Sequence, residues 1–306
     1  MSEIKDNILA TLAYFDIFNY PLTSSEIYLF LKNRYDQSDY QETLKYLVAT
    51  RGIYQFGIFY TLKNDHSLIV RRRDGNKKAA EMIKVASKIS NWLIHFPYVR
   101  GIAISGSLSK NFADENSDID LFIITAPNRL WIARTLMHAF KKLTFLFNKQ
   151  DYFCMNYYID EERLEIVEKT LYTAIEVVTL IPLQGDLQFE KFYSSNAWTR
   201  DYLPNKIMRV SSAKPVRSTK IKRAFEFFLN NKAGDLLDSF LMRVTAGRWQ
   251  KKTELKKLNA KGKVLALDVD KHYAKPDPRN FQDKLLLQYE SKISMLITQP
   301  QNSLAH

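Results

Sequence analysis

Cysteine occurs once in the 306-residue sequence, at Cys154, which excludes a disulfide framework and makes a cysteine-based zinc site implausible. Long apolar runs are also missing. The most membrane-like stretch, Leu130 to Phe147, is interrupted by Arg134, Lys141 and Lys142 and is too short between them to span a bilayer. Met1 to Ala10 holds Glu3, Lys5 and Asp6 and lacks the apolar centre of a secretory signal. A soluble cytoplasmic protein is therefore expected. What is present builds cores: 46% of residues are hydrophobic and 13% aromatic, and the length suffices for two or three modules.

Acidic residues are scarce in one region in particular. The chain carries a net charge of +12, and residues 200–263 alone hold 17 basic against 5 acidic side chains. Residues 1–65, with 6 basic and 8 acidic, are net negative. Concentrated like charge is unfavourable without a counter-charge, so the basic region is expected to face a polyanion. RNA is the favoured partner, and an anionic membrane surface or an acidic protein is the competitor. Helical periodicity puts Phe225, Phe228, Leu229, Leu236, Leu237, Phe240, Leu241 and Val244 on its apolar side. The polar side would carry Lys220, Lys222, Arg223, Arg243, Arg248, Lys251, Lys252, Lys256 and Lys257.

The chemistry is concentrated between Tyr98 and Thr125. Tyr98 to Ser105 reads as a strand, Gly106-Ser107 breaks it, and Ile119 to Ile124 reads as a second strand entered by Asp118 and Asp120. Two residues apart on a strand, the carboxylates share a face. Such a pair is favourable mainly with a divalent cation between its members. Gly106 lets the backbone approach a phosphate, and the helix that follows offers free N–H groups to it. The pieces suggest a site for a metal-bound phosphate ester.

Gly106-Ser107, ten residues, then Asp118-Ile119-Asp120-Leu121 resembles the signature of the polymerase-β-like nucleotidyltransferase superfamily. The resemblance is strong over about twenty residues and extends in element order from Lys78 to Leu183. It implies an α/β (α+β) nucleotidyltransferase fold, a mixed sheet with flanking helices. It further implies that Gly106 and Ser107 hold an NTP, that Lys110 neutralises part of its charge, and that Asp118 and Asp120 bind Mg²⁺ or Mn²⁺. Lys110 stands where relatives often have arginine, and Asn111 where they often have glycine. Catalytic relatives add a third carboxylate from the next strand, here Asp151 to Asp160. Its interior has none, and Asn156 is the polar residue nearest that place. Asparagine can ligate a metal through its carbonyl but cannot act as a base. Asp151, Asp160 or an acid from elsewhere would have to swing in.

Around this centre, Ile4 to Phe18 reads as a helix, Thr23 to Glu26 as a capping box opening a second helix to about Lys32, and Ser38 to Gln41 as another opening a third helix to Thr50. With a hairpin over Gly52 to Leu62, these suggest a winged-helix-like module at 1–65, able to contact a protein partner or self-associate. Its charge argues against duplex DNA, because groove-reading helices gain affinity from Lys and Arg. Residues 66–97 read as a linking helix whose amphipathic part, Lys77 to Phe96, buries Ala80, Ile83, Val85, Ile89, Trp92 and Leu93, with Arg71-Arg72-Arg73 as a solvated linker or helix end. After the Asp-x-Asp strand, Pro127 opens a helix to about Phe147. Within the catalytic domain, 98–199, Glu162 to Val167 suggests a short strand and Thr170 to Ile181 a helix stopped by Pro182. Residues 200–306 form a basic helical C-terminal domain that ends in a helix over Asn280 to Ile297. The expected function is transfer of a nucleoside monophosphate to a hydroxyl of an acidic acceptor, RNA or protein. The rival is an inactive nucleotide sensor or nucleic-acid-binding regulator on the same fold.

Overall fold

The computed structural model describes residues 2–144, 154–206, 213–216, 218–255, 267–276 and 281–298. Three helices open the chain: α1 (Ser2–Asp16), α2 (Ser24–Leu29) and α3 (Gln37–Ala49). Thr23 and Glu26 close the expected capping box on α2. The second box is not formed: α3 starts two residues early, behind Asp36, whose side chain makes no cap. The hairpin is β2 (Tyr54–Phe56) and β3 (Phe59–Thr61), turned at Gly57 with φ +62°. A two-residue strand, β1 (Leu22–Thr23), joins it in the order β1-β3-β2.

The long helix α4 (Ser67–Leu93) takes in the arginine triplet, which is neither a linker nor uniformly solvated. Arg72 is buried: its guanidinium donates to the Pro21 carbonyl and to Glu26 and lies 3.8 Å from the centre of the Tyr20 ring. The helix also turns further than its apolar residues suggested. Ala79, Ala86 and Ser90 face the core, whereas Ala80 is exposed and Trp92 is 75% exposed.

The main sheet has the order β7-β4-β5-β6-β9-β8. Its centre is β4 (Val99–Ile104), β5 (Asp120–Thr125) and β6 (Cys154–Asp160), with the four-residue helix α5 (Gly106–Ser109) between the first two. β4 and β5 are antiparallel and β5 and β6 parallel, so a crossover is required. Helix α6 (Leu130–Thr144) supplies it, beginning three residues after Pro127 and leaving Phe147 outside the described residues. No strand forms over 162–167. Asn196 holds that loop instead, accepting from the Ile166 N–H and donating to the Leu164 carbonyl. Helix α7 (Leu171–Thr179) is followed by β7 (Ile181–Gln184), so Pro182 sits in an edge strand, where a missing N–H is tolerated.

Alternation along β5 separates two cores. Leu121 and Ile123 face α4 and α6; Phe122 and Ile124 face α7 and α8 (Asp186–Ser195). The short α9 (Thr199–Tyr202) follows α8. On the first face α10 (Lys220–Leu229) and α11 (Lys232–Glu254) add Phe225, Leu229, Leu241 and Met242 to the core. The segment after residue 200 is shared out over the molecule. β8 (Leu267–Val269) and β9 (Tyr273–Pro276), which periodicity did not suggest, extend the sheet beyond β6. α12 (Phe281–Thr298) returns to the N-terminal module, where Leu285 enters the core around α1 and Tyr289 meets Tyr14 edge-on. Lys63 and Lys292 both pair with the buried Asp16. Among the described residues, no helix is long and apolar enough to cross a membrane.

Lys222 corrects the expected basic face. Its side chain is buried and its amine donates to the carbonyls of Ile94 (2.8 Å) and Val99 (2.6 Å), and burial pulls its pKa down to about 8. Four of the expected apolar positions face outward instead: Phe228, Leu236, Leu237 and Phe240 are exposed. Lys256 and Lys257 lie outside the described residues.

Candidate active site

The turn after β4 is closed by geometry that only glycine meets well. Gly106 has φ +68°, and a Cβ there would stand 2.6 Å from Asp120 Oδ2. The Ser105 N–H donates to the Asp120 carbonyl (2.9 Å), fixing the turn to the first residue of β5. Ser107 is exposed, and no side chain caps α5 at Ser105. The Gly-Ser turn and the second aspartate of Asp-x-Asp are thus in contact, as their spacing implied.

Asn156 completes the contact from β6. The strand shifts register between the pairs Leu121–Met155 and Phe122–Tyr157, and Asn156 is the extra residue at that irregularity. Its Nδ2 donates to Asp120 Oδ1 at 2.7 Å, while its Oδ1 accepts a long contact from the Cys154 thiol at 3.8 Å. As placed, Asn156 orients a carboxylate and its carbonyl faces Cys154. Burial raises the Cys154 thiol to about 12, with Asp120 and then Asp118 adding to it, so both aspartates lie in electrostatic reach of Cys154. Among the described residues no group of three or more acidic, histidine or cysteine side chains forms a metal-sized cluster.

Asp160 is excluded as the missing carboxylate. It is fully buried at the far end of β6, accepting from the N–H groups of Asn128, Glu162 and Arg163 and contacting His272 Nδ1 at 3.1 Å. Asp151 lies outside the described residues.

Gly106, Ser107, Lys110, Asp120 and Asn156 line one cavity of about 600 Å³. Asp118, half-buried two residues before the strand, is not among its lining residues. Lys110 is already engaged: its amine donates to Glu176 (2.7 Å) and to the Gly106 carbonyl (3.1 Å), and its own carbonyl accepts from the Tyr20 hydroxyl. Its charge is offset at the cavity wall by Glu176.

The sequence did not disclose the far walls of this cavity. Tyr14 and Phe15 come from α1, Phe18 from the turn after it, Tyr172 and Glu176 from α7, and Phe281 and Gln282 from α12. Arg71, the first of the arginine triplet, also lines it, with its guanidinium 4.4 Å from the centre of the Phe112 ring. The Tyr14 hydroxyl is buried without a hydrogen-bond partner. Only Glu176 carried a readable signal, as a polar position on an otherwise apolar helix.

A glycine turn thus packs on an aspartate at the end of the central strands of a mixed sheet and opens into a cavity of about 600 Å³. Residues 92–185 match the family model described as nucleotidyltransferase domain, and this domain belongs to the nucleotidyltransferase superfamily. Domains of this kind transfer nucleoside monophosphates from an NTP and generally use a divalent metal. No curated protein and no solved structure matches the chain.

Proposed function

We propose that this protein transfers a nucleoside monophosphate from an NTP to a hydroxyl group of an acceptor small enough to enter the cavity. The observation that carries this reading is the packing of the Gly106 turn against Asp120 and Asn156 at the end of the cavity. The acceptor oxygen forms a bond to the α-phosphorus, the bond from that phosphorus to the β-phosphate oxygen breaks, pyrophosphate departs and the hydroxyl proton passes to solvent. A Mg²⁺ or Mn²⁺ ion on Asp118 and Asp120 would suit two hard carboxylate donors and would neutralise charge on the triphosphate. Asn156 holds Asp120 in place, or ligates through its carbonyl if its amide turns over. The exposed Ser107 and the uncapped turn meet the phosphates. With no nucleophile of its own, the site works by positioning and electrostatics.

Acceptor size replaces acceptor charge in this reading. No described residue of 200–263 lines the cavity, and α10 and α11 pack on the opposite face of the sheet, so the basic segment gives no support to an RNA or protein acceptor at the site. The order α1-β1-α2-α3-β2-β3 supports reading the N-terminal module as winged-helix-like. On α3 Asp39 and Glu42 are exposed beside Lys45, a surface ill-suited to phosphate contact. The module's role is to wall the cavity with α1.

The test is transfer of label from α-phosphate-labelled NTPs, with Mg²⁺ or Mn²⁺, into RNA, protein and small-molecule fractions of a cell extract. Wild type is compared with Asp118→Ala/Asp120→Ala. Label in the small-molecule fraction, dependent on both aspartates, is the expected result. Label confined to RNA or protein would overturn the small acceptor. Mg-NTP binding with every fraction unlabelled would replace transfer by nucleotide sensing, a reading that the Asn156–Asp120 hydrogen bond favours.

A further inference from the structure

The basic region has a second property that charge counting missed: its outward surface is also apolar. On α11 one stripe at three- and four-residue spacing, Lys232, Leu236, Phe240, Arg243, Gly247 and Lys251, is exposed throughout. On α10 Ile221, Phe227 and Phe228 are 83%, 80% and 73% exposed beside Lys220 and Arg223. Of the four acids on the two helices, Glu226 and Asp238 turn inward, while Asp235 is ion-paired but exposed. Glu226 binds Arg100 at 2.8 Å, Asp238 accepts from the Ile132 N–H at 2.8 Å, and Asp235 pairs with Arg129 at 2.5 Å. Glu254 remains at the end of the stripe, accepting from Gln250.

We propose that the outward face of α10 and α11 docks the protein on an anionic lipid surface. Lysine and arginine beside exposed phenylalanine, leucine and isoleucine match an interface in which headgroup phosphates meet the cations and acyl chains receive the rings. Each competing occupant satisfies only half of this surface. RNA would neutralise the cations but leave Ile221 and Leu236 against a polar backbone. A second copy would bury the rings but bring two sets of cations together, because a two-fold contact apposes like patches. The cavity lies on the other face of the sheet, so docking leaves it open to its substrates.

The test is co-sedimentation of the full chain with vesicles of phosphatidylcholine alone or mixed with phosphatidylglycerol, at low and high salt. Two variants accompany wild type: Phe227→Ser/Phe228→Ser/Phe240→Ser, and Arg243→Gln/Arg248→Gln/Lys251→Gln/Lys252→Gln. All seven side chains are exposed or at the surface, so unchanged thermal melting and Mg-NTP binding are expected of both variants. Wild type is expected to bind the mixed vesicles and not the neutral ones, and each variant to lose about tenfold or more in partitioning. Equal binding to neutral vesicles, or mixed-vesicle binding that the phenylalanine variant retains, would overturn the proposal. So would RNA binding that displaces the vesicles and depends only on the charged set. A dimer in sedimentation that the phenylalanine variant dissolves would also overturn it, in favour of self-association.

Discussion

Gly106→Ala separates a backbone effect from a contact effect, because the chain contains its own control. Gly57 in the N-terminal hairpin has φ +62° and nothing within 4 Å of an added Cβ. Gly106 has φ +68° and the Asp120 carboxylate 2.6 Å from that position. Placing alanine in the left-handed region costs about 1–2 kcal/mol at either site. Only at Gly106 must a neighbour move as well. Asp120 Oδ2 ends a side chain, so the displacement is feasible, but it strains or breaks the 2.7 Å bond from Asn156. That adds about 1 kcal/mol and moves the carboxylate that the proposed metal would use. Urea denaturation is expected to show Gly57→Ala down by about 1 kcal/mol with Mg-NTP affinity unchanged. Gly106→Ala is expected to fall by about 2–3 kcal/mol and to bind Mg-NTP at least roughly tenfold more weakly. Equal stability losses together with equal nucleotide affinity would refute the link between the turn and the aspartate.

Asp160→Asn is expected to lower stability by about 2–4 kcal/mol, read by urea denaturation, since a buried acceptor of three N–H bonds becomes partly a donor. Mg-NTP affinity per folded molecule should not change, which an isothermal titration checks. Glu176→Gln should release the Lys110 amine from its ion pair and tighten NTP binding several-fold at low salt, an effect that added salt abolishes. For Lys222 the sign follows from a folded pKa of about 8 against 10.5 unfolded. The unfolded chain holds more protons between these values, so stability rises with pH from about 8 to 10.5. The gain is at most about 3 kcal/mol. Denaturation midpoints of wild type should climb across that window, while those of Lys222→Met should lack this component. His138, pulled down to about 3 chiefly by burial, gives the opposite end: stability falls with acid between about 6.5 and 3, and His138→Gln should flatten that limb.

The elements legible in the sequence were those fixed by local rules. Gly106, Ser107, Asp118 and Asp120 announced their turn and strand because a positive φ and a shared strand face depend on neighbours in sequence. The capping box at Thr23 and the turn at Gly57 were legible on the same ground. What depended on distant chain was not. β8 and β9 are short, and only pairing with β6 makes them strands. Arg72 and Lys222 read as surface cations because nothing local revealed that Glu26 and the Pro21 carbonyl, or the carbonyls of Ile94 and Val99, wait across the fold. The exposed Phe228, Leu236 and Phe240 were read as core by a periodicity that marks an apolar face but not what covers it.

The two faces of the sheet divide the chain's chemistry. Alternation along β5 sends Phe122 toward the cavity and its neighbours Leu121 and Ile123 toward α6 and α11, so a side chain's parity decides which task it serves. The cavity's cations, Arg71, Lys110 and Lys275, sit among Asp114, Asp120, Glu168 and Glu176, and Lys110 and Lys275 are paired with glutamates. The exposed cations of α10 and α11 lie behind the sheet with the exposed rings. A polyanionic acceptor would have to reach a balanced, aromatic-walled cavity closed by α1 and α12 while its attraction acted on the other side. Under the proposed transfer reaction that geometry would separate what binds the basic helices from what is modified, and acceptor size and shape, rather than acceptor charge, would be the property the site selects.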